Sequence, residues 1–165
     1  MLRAVKIAIL STLIVFSFSC KKEDPTPVPP VINFLDAQFS TDKSYTIVTF
    51  EFYDADGDLG LKQEENIGEQ EFNLFVDYYE KNNGNWQLIT PLIIYNNTTS
   101  AYDTTELHLR VPFIKNESQV ALEGETEVKL LYNFNADTFR YDITLKDRAF
   151  QLSNTISTTE LIVNN

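Results

Sequence analysis

The chain has one cysteine, one histidine and one tryptophan among 165 residues, and only 5 glycines. A single cysteine closes no internal disulfide, and zinc sites rich in His and Cys are excluded by count. A Ser-His-Asp triad would have to use His108, and the chain has no Gly-x-Ser-x-Gly elbow. His108 alternates with apolar neighbours beside Glu106 and Arg110, so it is expected on the exposed face of a strand. The few glycines form no nucleotide-binding pattern. Positive charge is scarce as well: 13 Lys and Arg stand against 24 Asp and Glu, a formal net charge of −11. Such a surface repels phosphate backbones, so nucleic acid is excluded as a partner, and it is compatible with cations. Acids are plentiful, but no strand carries two glutamates flanking an aspartate at alternate positions, as a sandwich-fold glycosidase would. The reading is therefore non-enzymatic.

What is present begins with a leader. Residues 1–19 hold Arg3 and Lys6, no acid, and an apolar run from Ile7 to Phe18. That run is shorter than the roughly 20 apolar residues of a membrane-spanning helix and has the layout of a secretory signal. It ends at Cys20, the lone cysteine. A cysteine directly after a signal's apolar region resembles the lipidated first residue of a mature bacterial lipoprotein, although Ser17 stands where a lipobox usually has Leu. Removing residues 1–19 takes away two positive charges, so −11 becomes −13. Anchoring then has to come from lipid on Cys20, not from a basic face. Lys21-Lys22-Glu23-Asp24 resembles the short export tag of Bacteroidota-type surface lipoproteins, which implies an outer-membrane, cell-surface location; the alternatives are retention on the periplasmic side and a plain solvated tether. Four of the 6 prolines lie in Pro25-Thr26-Pro27-Val28-Pro29-Pro30, completing a lipidated, semi-rigid tether over 20–30.

The remainder, 31–165, reads as strands. Phe139, Tyr141, Ile143 and Leu145 alternate with polar residues, as do Val48, Phe50 and Phe52, Val128, Leu130 and Tyr132, and Leu107, Leu109 and Val111. Asn83-Gly84 predicts a two-residue hairpin turn joining a strand near Glu71–Lys81 to one near Asn85–Thr90. Further strands are expected at Ile32–Phe39, Leu92–Tyr95 and Ile156–Val163. Short strands with mixed faces predict an all-β, antiparallel sandwich. Around the turn, Tyr79 should face Leu88, and Phe75, Tyr79 and Trp86 should share the face opposite Leu74, Val76 and Tyr78. Those three rings are candidate ligand contacts for a glycan or a protein partner, unless a second layer covers them. A weaker signal is Asp103-Thr104-Thr105, which resembles an O-glycosylation acceptor of Bacteroidota-type exported proteins.

Asp54, Asp56 and Asp58 stand at alternate positions in a loop after a strand, where carboxylates can converge on a hard cation such as calcium. The spacing departs from the EF-hand loop. Counting from Asp54, the sixth position is Leu59 and the twelfth is Glu65, which would be a distal ligand. The competing reading is an acidic turn whose side chains cap backbone amides.

Two motifs taken together, Asp54-Ala55-Asp56-Gly57-Asp58 and Asp147-Arg148-Ala149-Phe150-Gln151-Leu152-Ser153-Asn154, resemble immunoglobulin-like or cadherin-like domains of Bacteroidota surface lipoproteins. The resemblance implies an immunoglobulin-like sandwich at the bacterial surface, with Asp147 near the acidic loop if the topology brings both motifs to one end. Such domains commonly have Gly where this chain has Phe150. The expected role is a membrane-anchored binding or adhesion module for a glycan or protein. The alternative is a structural subunit of an outer-membrane envelope or transporter complex.

Overall fold

A computed structural model describes residues 26–96, 98–115 and 121–163. Residues 1–19, read above as a signal, Cys20, the charged residues 21–24 and Pro25 lie outside the described residues. The described chain is all-β. Its strands are β1 (Val31–Phe39), β2 (Thr46–Asp54), β3 (Leu74–Asn82), β4 (Asn85–Leu88), β5 (Leu92–Asn96), β6 (Ala101–Thr105), β7 (Leu122–Leu130), β8 (Thr138–Leu145), β9 (Ile156–Ser157) and β10 (Leu161–Ile162). The first antiparallel sheet has the order β1-β2-β7. The second runs β10-β8-β3-β4, with β9 also paired to β8. Strands β5 and β6 form a separate hairpin.

The two sheets make a β-sandwich because each is apolar on one face. On β2, Thr46, Val48 and Phe50 are buried at alternate positions; on β8, Phe139, Tyr141, Ile143 and Leu145 are. Together with Ile32, Leu74, Val76, Tyr78, Leu130 and Tyr132 they form one core. Burying each large side chain stabilises the fold by about 1.5–3 kcal/mol before entropy is counted. Tyr132 stacks on Phe139 at 5.0 Å and 11°. The sheets are also tied by polar groups: the Tyr141 hydroxyl donates to the Leu131 carbonyl at 3.0 Å and lies 2.9 Å from Thr46 Oγ1.

The Asn83-Gly84 hairpin has the expected register, Tyr79 opposite Leu88 and Lys81 opposite Trp86. Three expectations need correction. Residues 107–111 form no strand but one bridge, Leu109 to Leu74, because Asn73 intrudes: its Oδ1 accepts the Val111 amide at 2.7 Å. The segment 156–163 is split into β9 and β10, because Thr158 docks on Tyr141 through both its side chain and its backbone amide. Strand β7 starts at Leu122 and stops before Tyr132, whose buried ring joins the core from a loop.

Candidate metal centre

The inward face of β2 runs 46, 48, 50, 52, and the next position in that register is Asp54. Period-two alternation therefore carries a carboxylate to the core side of the strand, where it is 0% exposed. Strand β8 does the same. Its inward series 139, 141, 143, 145 continues to Asp147, 1% exposed. The sandwich thus aims one aspartate from each sheet into the same end of the core. The loop after β2 supplies two more. Gly57 (φ 71°) and Gly60 (φ 89°) curl it back, and a Cβ on Gly60 would stand 2.4 Å from the Pro112 carbonyl oxygen. Such a curl at such a close approach requires glycine.

Three of the four aspartates have one carboxylate oxygen held by a backbone amide. Leu59 N donates to Asp54 Oδ2 at 2.7 Å, Val28 N to Asp56 Oδ2 at 3.0 Å, and Gln151 N to Asp147 Oδ1 at 2.7 Å. The amides of Arg148 and Ala149 lie near enough to Asp58 to lower its pKa, against the larger effect of burial. This leaves Asp54 Oδ1, Asp56 Oδ1, Asp58 Oδ1 and Asp147 Oδ2 shut away from water without a hydrogen-bond partner. One oxygen each from Asp54, Asp56 and Asp58 lies within 4.8 Å of the others. Asp147 is close enough to feel the charge of Asp58 and Asp56.

The electrostatics follow from that crowding. Burial pushes the Asp54 carboxyl up to about 7, helped by Asp56 beside it and opposed by the Leu59 amide. Burial likewise pushes Asp147 up to about 6, against the Gln151 amide and with Asp58 and Asp56 adding to the rise. Asp58 is raised by burial and by Asp56, and Arg148 offsets part of this. Orphaned buried carboxylate oxygens are costly unless a proton or a cation meets them.

Glu65 is not part of the converging group. Its Oε2 accepts the Lys62 amide at 2.7 Å within its own turn, which is ordinary loop capping and takes it away from the role of distal ligand. Phe150 adopts φ 65°, so this chain makes with phenylalanine a left-handed turn that glycine would make without strain. The tether contact through Val28 has no sequence signal, since a backbone amide can meet any carboxylate the fold brings near.

The other sequence candidates lie elsewhere. Phe75, Tyr79 and Trp86 do face away from the core, half-buried, but cations lie over their rings. The Arg140 guanidinium is 5.2 Å from the Tyr79 ring and 4.8 Å from Trp86, while Lys146 is 5.0 Å from Phe75. His108 is not simply exposed. Its ring sits edge-on to Phe75 at 5.2 Å and Phe72 at 6.0 Å, because the 107–111 segment packs across the start of β3. Comparison of the chain with protein-family models, curated proteins and solved structures finds no match.

Proposed function

We propose that the chain is a lipid-anchored binding or adhesion module of the bacterial envelope whose immunoglobulin-like sandwich is completed by a calcium ion, and that it has no enzymatic role. The observation that carries this reading is the set of four partnerless, water-excluded carboxylate oxygens from Asp54, Asp56, Asp58 and Asp147. An acidic turn that merely capped amides would satisfy its oxygens or expose them. Here an amide holds one oxygen of Asp54, Asp56 and Asp147, and each of the four carboxylates keeps one shielded oxygen without a partner. Oxygen-only donors favour hard cations, and calcium tolerates the irregular six- to eight-fold shells that loops provide. Asp147, from the second motif behind the cadherin-like resemblance, is close enough to feel the charge of Asp58 and Asp56, which supports its joining the site. Anchoring rests on Cys20 after the apolar run, and surface display on Lys21, Lys22, Glu23 and Asp24.

Equilibrium dialysis of the whole chain in detergent, followed by elemental analysis, tests the ion. We expect one calcium per chain, lost in Asp56→Ala and retained in Glu65→Gln. Absence of any bound ion at millimolar calcium sinks the reading. Fatty-acid labelling in cells tests the anchor: label should disappear in Cys20→Ala, and equal label in both chains would refute it.

A further inference from the structure

The β5–β6 hairpin stands apart from both sheets. Leu92 is buried and Ile94 half-buried at its base, while Tyr95 and Tyr102 pair across it with their rings 5.2 Å apart. Tyr102 is 70% exposed, far more than an aromatic ring usually is on a folded surface. Against this hairpin lies the segment that follows β7, where Phe134 packs edge-on to the buried Tyr132 at 4.8 Å and remains substantially exposed. Between them is a cleft of about 400 Å³. That is within the range of small-ligand sites, roughly 300–1,000 Å³. Tyr102 and Ile94 also border a second, more open hollow that continues along β6 past Asp103, Thr104 and Thr105.

We propose that this paired cleft binds an uncharged oligosaccharide. The proposal rests on the reading of the domain as a binding module. It does not depend on the calcium ion. Rings of Tyr95, Tyr102 and Phe134 offer electron-rich faces on which the C–H faces of sugar rings stack. The rim is polar and neutral or acidic. Asn135 and Thr104 border the two hollows, and among the described residues their side chains take no hydrogen-bond partner. Asp103 is fixed by the Asn96 amide at 2.7 Å. Among the described residues neither lysine nor arginine lines either hollow, so phosphorylated, sulfated or uronic-acid chains would meet no countercharge there, within a chain already at −11. The walls are held in place beforehand. The Asn133 side chain donates to Glu80 at 2.9 Å and accepts the Asn135 amide at 3.0 Å, and Asn96 Oδ1 takes the amides of Thr98 and Thr99. A preformed site loses less entropy on binding. A concave cleft of this size suits a saccharide chain better than a protein, which needs an interface of roughly 1,200 Å² or more.

The test is an array of neutral hexasaccharides (gluco-, manno-, xylo- and galacto-configured) with hexagalacturonic acid as the acidic probe, read with the whole chain in detergent. At least one neutral hexasaccharide should bind in the micromolar to millimolar range. Tyr102→Ala should weaken it at least about tenfold, the loss of one stacked ring being worth on the order of 1.4 kcal/mol. Tyr102→Phe should retain it, and an unchanged melting curve should show that Tyr102→Ala folds. Asp56→Ala, which tests the calcium reading, should leave saccharide binding within twofold. The hollows are lined by Leu131 and Tyr132, just past Leu130, which pairs with Thr46, while the aspartates lie at the other end of the β2–β7 ladder, where Asp54 pairs with Leu122. Binding of the acidic probe alone, binding insensitive to Tyr102→Ala, or no binding of any neutral saccharide overturns the proposal. A protein partner displaced by Tyr102→Ala, with no saccharide bound, overturns it in favour of a protein interface.

Discussion

The acidic residues of this chain live in two opposite settings. On β7, Glu123, Glu125 and Glu127 stand in a row on one exposed face, with Glu125 directly across from Glu51 on β2. In the loop that begins where β2 ends, Asp54, Asp56 and Asp58 converge with one oxygen of each shut away from water, as is one oxygen of Asp147. The spacing in sequence is the same, acid at every second residue. The outcome differs because β7 is the edge of its sheet and turns that face to solvent, whereas the β2 and β8 registers carry their last aspartates inward. In water, like charges at 4 Å repel by only about 1 kcal/mol, and salt screens that further. Exposed glutamates on an edge strand also discourage strand addition from another chain. Withdrawn from water, the same chemistry demands a counter-ion or a proton.

The largest effect that separates the two settings is calcium. A ligand at 100 times its dissociation constant adds about 2.7 kcal/mol to stability, several degrees in melting temperature for a domain of this size. Calcium should raise the melting temperature of the wild-type chain by that much relative to chelator at matched ionic strength. Asp56→Ala should abolish the rise, and magnesium should do less because it demands a stricter octahedron. If removing the three β7 glutamates abolished the rise instead, the wrong acidic group would have been assigned.

Protons provide the second contrast. Asp54 and Asp147, pushed up to about 7 and about 6, hold protons in the folded chain that the unfolded chain releases near 3.8. Without metal, the stability from these groups is therefore full below about 4 and is lost as pH rises through 6–7. With calcium bound the sign reverses, because protons compete with the ion for the same oxygens. Urea midpoints at pH 5 and pH 8 should thus order oppositely in chelator and in calcium. Identical ordering in both would mean that these carboxylates do not share a site with the ion.

Much of this was legible in the sequence, and the reason is periodicity. Strands β2, β3 and β8 alternate because one face is core and the other is wet, β1 does so on either side of a bulge between Phe34 and Asp36, and Asn83-Gly84 sets a register that the fold adopts. Strand β6 was not legible. Ala-Tyr-Asp-Thr-Thr is exposed along nearly all of both faces, so no apolar period marks it. The 107–111 alternation was real, but Asn73 captures the Val111 backbone and leaves only a bridge. At the site, Asp54, Asp56, Asp58 and Asp147 were visible as motifs. That Asp54 and Asp147 extend the inward registers of two facing strands can be seen in the alternation itself, once the strands are placed. Glu65 was misread because counting along a loop assumes EF-hand geometry, and here the loop is closed by Gly60 against Pro112 instead.

The smallest effect is the sharpest control. Replacing Glu123, Glu125 and Glu127 together with glutamine removes three carboxylates, as many as Asp54, Asp56 and Asp58 contribute together. It also relieves the Glu125–Glu51 opposition across the ladder. Cross-strand charge pairs at exposed positions are worth roughly 0.2–1 kcal/mol, and here part of any gain is lost to screening. The triple variant should therefore lie within about 0.5 kcal/mol of wild type, slightly on the stable side, and its calcium response should be unchanged. The outcome separates two accounts of the ion. If calcium stabilises by neutralising the chain's net charge as a whole, removing any three acids should blunt its effect. If it acts by meeting the partnerless oxygens of one buried group, removing exposed acids 70 or so residues along the chain should not. A calcium-induced shift that shrank by half or more in the triple variant would mean the ion acts through general charge, and the two acidic settings would then be one.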